Sequence, residues 1–481
     1  MPAVNRAFAP LAIAVMAAFL LPGLAQDGMF MDGMLYAVVA HNEALGFGTF
    51  WEPRFSQLGV AGLSAFHEHP PLGFGLQALW FMAFGSAFWV ERLYQLGAAV
   101  LMAWLLVLTY RALLPAAREA RRYWWWPLLL WVVVPVIHWS YHNNMLETTM
   151  GLFTTAAVLA VVRAHGGRWW ARHAWAGALV FLASMTKGLP GLFPLAAPVL
   201  MALPLRRRLP EALGASVLMT AVVAFLYSAL MLLPEARESL MTYVEKRLLH
   251  RIAVKPTVDS RFATLEMLFT TMLAPLALAL AVRFGGRKAA ERDAAEMRGA
   301  LGMALIGLSG VAPLMLTLVQ KSFYMGAALP LLSVALAAFA APSLERLMSR
   351  ALERPRLIAG VRIAGWSLTA GAVVAAALLF GRPARDADML ADVALVGALV
   401  PRGALIGAEE PLWEEWNLQG YLMRRHSISI DCRTPGRAWY LGRAGSRPPQ
   451  HERYQPVPLP FRGYALWKQV LPLEGGAVAA R

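Results

Sequence analysis

The chain has 481 residues, 58% of them hydrophobic and 15% charged, with a mean hydropathy of +0.51. So apolar a composition excludes an ordinary soluble globule and indicates a polytopic membrane protein. The formal charge of +15 is spread as short clusters between apolar runs, which fits membrane topology and excludes a nucleic-acid-binding surface, while the single cysteine, Cys432, excludes a disulfide framework and a cysteine-built metal site.

The first apolar run, 7 to 25, is close to the ~20 residues that cross a bilayer. Arg6 before it and Gly23-Leu24-Ala25 at its end also fit a secretory signal, but the length favours an uncleaved span. A polar stretch follows, carrying Asp32-Gly33-Met34-Leu35-Tyr36 and then Phe66-His67-Glu68-His69-Pro70-Pro71-Leu72. Acids and imidazoles beside a membrane are costly, so they suggest a site.

Further apolar runs fall near 91–110, 124–141, 145–162, 174–186, 189–205, 212–233, 264–282, 299–319, 322–341 and 360–380, with 70–89 ambiguous. Clusters of arginine and lysine occupy every second loop: Arg111 to Arg122, Arg163 to Arg172, Arg206 to Arg208, Arg283 to Arg298, and Arg346 to Arg362. Basic loops stay cytoplasmic. All five clusters lie inside if 70–89 rests along the interface without crossing, which gives about eleven spans, an external loop over 26–90 and an external C-terminus. One external loop, 234–264, breaks the rule with Arg237, Lys246, Arg247, Arg251, Lys255 and Arg261. Its cations suit either a phosphate or an amphipathic helix on lipid headgroups.

Beyond Phe380 the chain becomes richer in charge, proline and glycine, with short alternating pieces such as 425–430. The expected organisation is therefore an all-α membrane domain over 1–383 with added juxtamembrane helices, followed by a small mixed α/β extracytoplasmic domain over 384–481. No repeat, Walker loop or dinucleotide fingerprint occurs, which argues against an ATP-driven pump.

This topology gathers the chemistry on the outer side. Asp32 stands one helical turn from Tyr36, and a carboxylate there can take a proton from an acceptor hydroxyl or amine; an N-cap is the plain alternative. Glu68 and His69 precede Pro70-Pro71, which starts the next helix, with His67 beside them. Asn143, Asn144 and Glu147 begin a later span, where they can bind substrate or cap. Lys187 in Thr186-Lys187-Gly188 can meet a phosphate or snorkel. Lys246, Arg247, His250, Arg251 and Arg261 of the basic loop, and Lys321 with Tyr324, complete the set.

In combination these residues resemble the GT-C membrane glycosyltransferases, in the branch of protein O-mannosyltransferases and lipid A aminoarabinose transferases. Asp32-x-x-x-Tyr36 after the first span, His69-Pro70-Pro71-Leu72, Thr186-Lys187-Gly188, and Lys321 through Tyr324 to Leu329-Pro330 carry the resemblance. Phe50-Trp51-Glu52-Pro53, Glu91-Arg92-Leu93-Tyr94 and Asn143-Asn144-Met145-Leu146-Glu147 are similar to a further bacterial branch. His69 stands where the aminoarabinose branch has lysine, and the mannosyltransferases' acidic pair reads here as Asp32-Gly33.

The resemblance covers most of residues 1 to 345. It implies a polyprenyl-phosphate sugar donor, an extracytoplasmic lipid, glycan or protein acceptor, inversion at the anomeric carbon, and a multi-pass place in the inner membrane. Asp32 would then be the base or acceptor-orienting acid, and Lys187 with the basic residues near Arg251 would neutralise the departing lipid phosphate. No cofactor motif is evident and a divalent-metal requirement stays open. A lipid-linked sugar flippase, or another lipid-phosphate transferase, would also need external cations.

Overall fold

The computed structural model describes residues 3–59, 63–164, 168–248, 256–285 and 294–470. The chain divides into two compact units, one of Met1–Ala25, His67–Gly73 and Arg92–Phe380, the other of Gln26–Phe66, Phe74–Glu91 and Gly381–Arg481.

The first unit is helical. Among the described residues, seven helices are long and apolar enough to cross a bilayer: Val4–Ala25, Val90–Leu113, Leu209–Leu230, Ala263–Gly285, Glu296–Leu316, Leu329–Leu352 and Pro355–Leu379. The other spans expected from hydropathy are shorter or interrupted. The 124–141 run is split into Trp125–Val132 and Pro135–His142, because Pro135 cannot donate the hydrogen bond that would continue the first helix. Pro135–His142 and Leu146–Val162 meet at a bend of 119° and count together as an eighth candidate. Leu72–Phe84, the ambiguous segment, has 13 residues, so it rises ~20 Å against the ~30 Å of a hydrocarbon core.

Lipid tails are as apolar as leucine, so helices in a membrane associate through close packing at small residues. Three glycines show this. A Cβ at Gly365 would stand 2.6 Å from the Leu11 nitrogen, where Pro355–Leu379 lies along Ala3–Ala25. At Gly177 it would meet the Met219 carbonyl at 2.8 Å, and at Gly302 the Met201 sulfur at 2.8 Å. Trp131, Tyr110 and Tyr141 fill the interior, and the Trp126 indole donates to the Ala337 carbonyl at 3.2 Å. Arg118, from the first cluster of basic residues, pairs with Glu296 and, at 3.4 Å, with Glu345, whose other oxygen accepts the Ala120 amide at 2.7 Å.

The second unit carries a five-stranded mixed sheet. Its strands are β1 (Leu405–Ala408), β2 (Ser429–Asp431), β3 (Trp439–Arg443), β4 (Tyr454–Pro456) and β5 (Tyr464–Gln469), in the order β2-β1-β3-β5-β4. β1 runs parallel to β2 and β3, whereas β5 is antiparallel to β3 and β4. The helix Trp416–His426 supplies the crossover and stops at Ser427, which takes a left-handed conformation.

This sheet segment shares its unit with the 26–66 loop. Helix Met31–Ala44 packs on Trp416–His426 so closely that a Cβ at Gly420 would lie 2.5 Å from the Met34 side chain. Asp27 pairs with Arg425, the Met29 amide donates to the Tyr421 hydroxyl at 3.0 Å, and Gln57 donates to the Gly403 carbonyl at 2.8 Å. A buried arginine closes the unit at its other edge. Arg424 pairs with Glu91 at 2.8 Å, donates to the Ser86 and Ala87 carbonyls at 2.9 Å each, and covers the Phe81 ring.

Candidate active site

In the helical unit the candidate residues cluster at the 119° bend. The chain leaves helix Pro135–His142 at Asn143, and Asn144 takes a left-handed φ of 52° that asparagine tolerates better than most residues. Helix Leu146–Val162 then starts in a new direction, with Glu147 in its first turn. Asn144 is locked in place by Gln95, which donates to its side-chain oxygen at 2.9 Å, while Thr148 donates to Gln95 at 2.8 Å. Asn143 donates back to the Trp139 carbonyl at 2.9 Å.

Glu147 forms an ion pair with Lys187, and both side chains are buried, at 1% and 6% exposure. Two charges removed from water require each other. Lys187 ends helix Trp169–Lys187, and its ammonium also stands 5.3 Å from the centroid of the Tyr324 ring. Gly326 leaves room for the acid, since a Cβ there would approach the Glu147 Cβ to 3.0 Å. The expectation of Lys187 as an interfacial cation is thereby refined: its charge is partnered by an acid 40 residues earlier.

Gly188 caps the same helix with φ 79° and ψ −144°, a backbone open essentially to glycine. A side chain there would overlap the Tyr243 hydroxyl. Tyr243 ends helix Pro234–Tyr243, whose Ser239 hydroxyl lies 3.3 Å from His67 Nδ1. The helix that leads into the basic loop is thus seated on Gly188 and on His67. Sequence reading missed Gln95, Ser239 and Tyr243, whose partners lie far off in the chain.

The basic loop itself is open where it is described. Lys246 is exposed in a π-helical turn over Val244–Leu248, which also contains Arg247, whose side chain lies outside the described residues. His250 and Arg251 lie outside the described residues altogether. Arg261 and Lys321 are both exposed on segments tied through buried Gln320, which donates to the Arg261 carbonyl at 2.9 Å and accepts from Thr264 at 2.6 Å. His69 is buried and Glu68 half-buried in the stretch before Pro70, and helix Leu72–Phe84 begins two residues after that proline.

Asp32 belongs to the other unit. It is half-buried in the first turn of helix Met31–Ala44, whose N-cap position is held by Phe30 without a side-chain cap. Phe30, and not Asp32, holds the N-cap position. Tyr36, one turn on, is buried with its ring 5.8 Å from that of Phe74, which in turn meets Phe66 edge-on at 5.6 Å.

Two further groups on this helix stand in unusual surroundings. Burial, with Arg424 and Arg402 nearby, holds His41 down to about 3, so its ring is neutral and Nε2 is shared with the Ser86 hydroxyl at 2.8 Å. Burial raises the Glu43 carboxyl to about 7. Neither shift was legible in the sequence, because both depend on what packs over the helix end. Among the described residues no group of three or more histidine, cysteine or acidic side chains is arranged to hold a metal ion.

No family model matches the sequence, and no curated protein matches it. Solved structures do. ArnT from Cupriavidus metallidurans bound to undecaprenyl phosphate superposes with a TM-score of 0.62 over 96% of this chain and 97% of that one, at 15% identity. Its apo state gives 0.63 over the same shares. The chain has the GT-C fold. The likeness extends over both units, including the C-terminal segment that no sequence motif matched. The archaeal oligosaccharyltransferase AglB from Archaeoglobus fulgidus, in complex with an inhibitory peptide and a dolichol-phosphate, matches at TM-score 0.50 and 13% identity over 91% of this chain and 70% of its own.

Proposed function

We propose that this protein is an inverting glycosyltransferase that moves one sugar from a polyprenyl-phosphate-linked donor to a hydroxyl or amine of an extracytoplasmic lipid, glycan or protein. The end-to-end likeness to an ArnT structure holding undecaprenyl phosphate is the observation that carries this reading. The motif set from Asp32 to Tyr324 and the alternation of basic loops support it, the latter placing the active site and C-terminal segment outside the inner membrane.

Asp32 is assigned as the base. In an inverting displacement the acceptor oxygen or nitrogen attacks the anomeric carbon, its proton passes to a carboxylate, and the bond to the lipid phosphate breaks. A half-buried carboxylate in the first turn of its helix, one turn from Tyr36, suits that task. Charge develops on the departing phosphate, so donors aimed at it lower the barrier. Lys187 is assigned to this end of the reaction. Its pairing with Glu147 holds the ammonium in one place, in a setting where charge interactions are stronger than in water. Lys246, Arg261 and Lys321 are exposed cations that suit a first encounter with the anionic donor.

The discriminating experiment uses the purified chain in proteoliposomes with a radiolabelled polyprenyl-phosphate sugar and extracted cell-envelope acceptors. Label moving to acceptor, with free polyprenyl phosphate released, is the expected result. Donor that crosses the vesicle wall uncleaved would make the protein a flippase; a phosphorylated acceptor would make it another lipid-phosphate transferase.

A further inference from the structure

We infer that the helical unit carries a second phosphate-recognising site, one that takes the headgroup of an anionic phospholipid and is separate from the Lys187 region. The site is a cavity of about 430 Å³ between the start of helix Trp169–Lys187, helix Ala197–Leu205 and the start of helix Leu209–Leu230. Its size falls within the usual range for small-ligand pockets.

The lining is amphiphilic. Arg207, Arg208, His173 and Trp169 supply its polar groups and an interfacial aromatic, and Met201, Ala202, Ala212 and Ala215 are among its buried apolar wall. Arg206, in a left-handed conformation, stops helix Ala197–Leu205 and turns the chain so that Arg207 and Arg208 fall at the cavity. Arg208 lies 3.3 Å from Glu211, which leaves one net positive charge among these three. His173 is buried and its Nδ1 is 2.9 Å from the Trp169 carbonyl, so Nδ1 carries the proton and the imidazole is fixed in orientation. Cations beside an apolar wall and a tryptophan match a lipid whose phosphodiester meets arginine while its glycerol and first methylenes meet alanine and methionine.

Position separates this cavity from the proposed reaction. His173 and Lys187 are 14 residues apart on one helix, a rise of ~21 Å. The flanking clusters Arg163, Arg168, Arg172 and Arg206 to Arg208 are among those that the positive-inside pattern puts on the cytoplasmic leaflet, where anionic lipid is available. A soluble phosphate would gain nothing from the apolar wall, which favours the lipid as its source.

The test is native mass spectrometry of the full chain released from detergent, titrated with phosphatidylglycerol, phosphatidylcholine or inorganic phosphate. The wild-type protein should retain phosphatidylglycerol in preference to phosphatidylcholine. R207Q/R208Q, both exposed positions, should weaken phosphatidylglycerol retention about thirtyfold, the worth of two basic residues at an anionic lipid surface, and leave sugar transfer intact. A212F, which fills the wall and keeps both arginines, should also lower retention. Equal retention of both lipids, no loss in R207Q/R208Q, or binding of inorganic phosphate as tight as that of phosphatidylglycerol would each overturn the inference. Loss of sugar transfer in R207Q/R208Q with retention unchanged would likewise count against it.

Discussion

Glu147 and Lys187 neutralise one another in the interior of the helical unit, one at the first turn after a 119° bend and the other at the last turn before a glycine. Neither charge is tolerable there alone, so the pair couples the stability of the bend to the placement of the ammonium.

Removing one partner should therefore cost far more than removing both. E147Q leaves a buried ammonium without its counter-charge and is expected to lower stability by ~3–5 kcal/mol. The apolar pair E147L/K187M should lie close to wild type in thermal unfolding and yet transfer no sugar. A double variant as unstable as E147Q would contradict the mutual neutralisation of the pair, and a fully active one would contradict the phosphate role assigned to Lys187.

D32N separates chemistry from folding in the other unit. Asp32 lies in the first turn of its helix, where losing the charge should cost ~1 kcal/mol. Turnover of labelled donor should fall ~10²–10⁴-fold, the usual worth of a general base. An unchanged turnover at unchanged melting temperature would remove Asp32 from the reaction.

Arg424 should prove structural. R424M removes the partner of Glu91 and the donors to Ser86 and Ala87, with an expected loss of ~3–5 kcal/mol and faster amide exchange over residues 85–91. Exchange confined to wild-type rates in that segment would mean that other contacts hold it.

Two groups on helix Met31–Ala44 give opposite pH dependences. Glu43 is raised from 4.5 to about 7, so it favours the folded state fully below 4.5 and that contribution is lost as pH rises through 7. His41 is lowered from 6.5 to about 3, so its contribution is present above 6.5 and is lost as pH falls through 3. Melting temperature against pH should flatten on the neutral side in E43Q and on the acid side in H41Q. The reverse assignment of the two limbs would refute this account.

Gly188 should not accept a side chain. G188A forces alanine to φ 79° and drives its Cβ into the Tyr243 hydroxyl, so transfer and stability should both drop. Y243F in the same chain removes the hydroxyl but leaves the ring Cζ 2.9 Å from the new Cβ and the backbone strained, and should rescue only part of the loss. Full rescue would show that the overlap, and not the backbone, sets the requirement for glycine.

Much of this could be read from residue order. Hydropathy located the long helices, because twenty apolar residues in succession have few soluble uses. Asp32, Glu147 and Lys187 stood out because charge beside a membrane is costly. Other features resisted for stated reasons. The run 124–141 reads as one span, and only the conformations at Pro135 and Asn144 divide and turn it. Pairings such as Glu91 with Arg424, 333 positions apart, leave no local pattern.

By itself, then, the sequence determined that this is a multi-helix membrane protein with acids and cations gathered near particular span ends, since transfer of side chains into lipid is governed by composition. Tertiary structure decided who neutralises whom. It buried Lys187 against Glu147, seated Tyr243 on Gly188, and built the 26–66 loop that carries Asp32 into one unit with the C-terminal sheet. Such choices depend on close packing and on matching buried charges over long chain distances, which no window of residues contains.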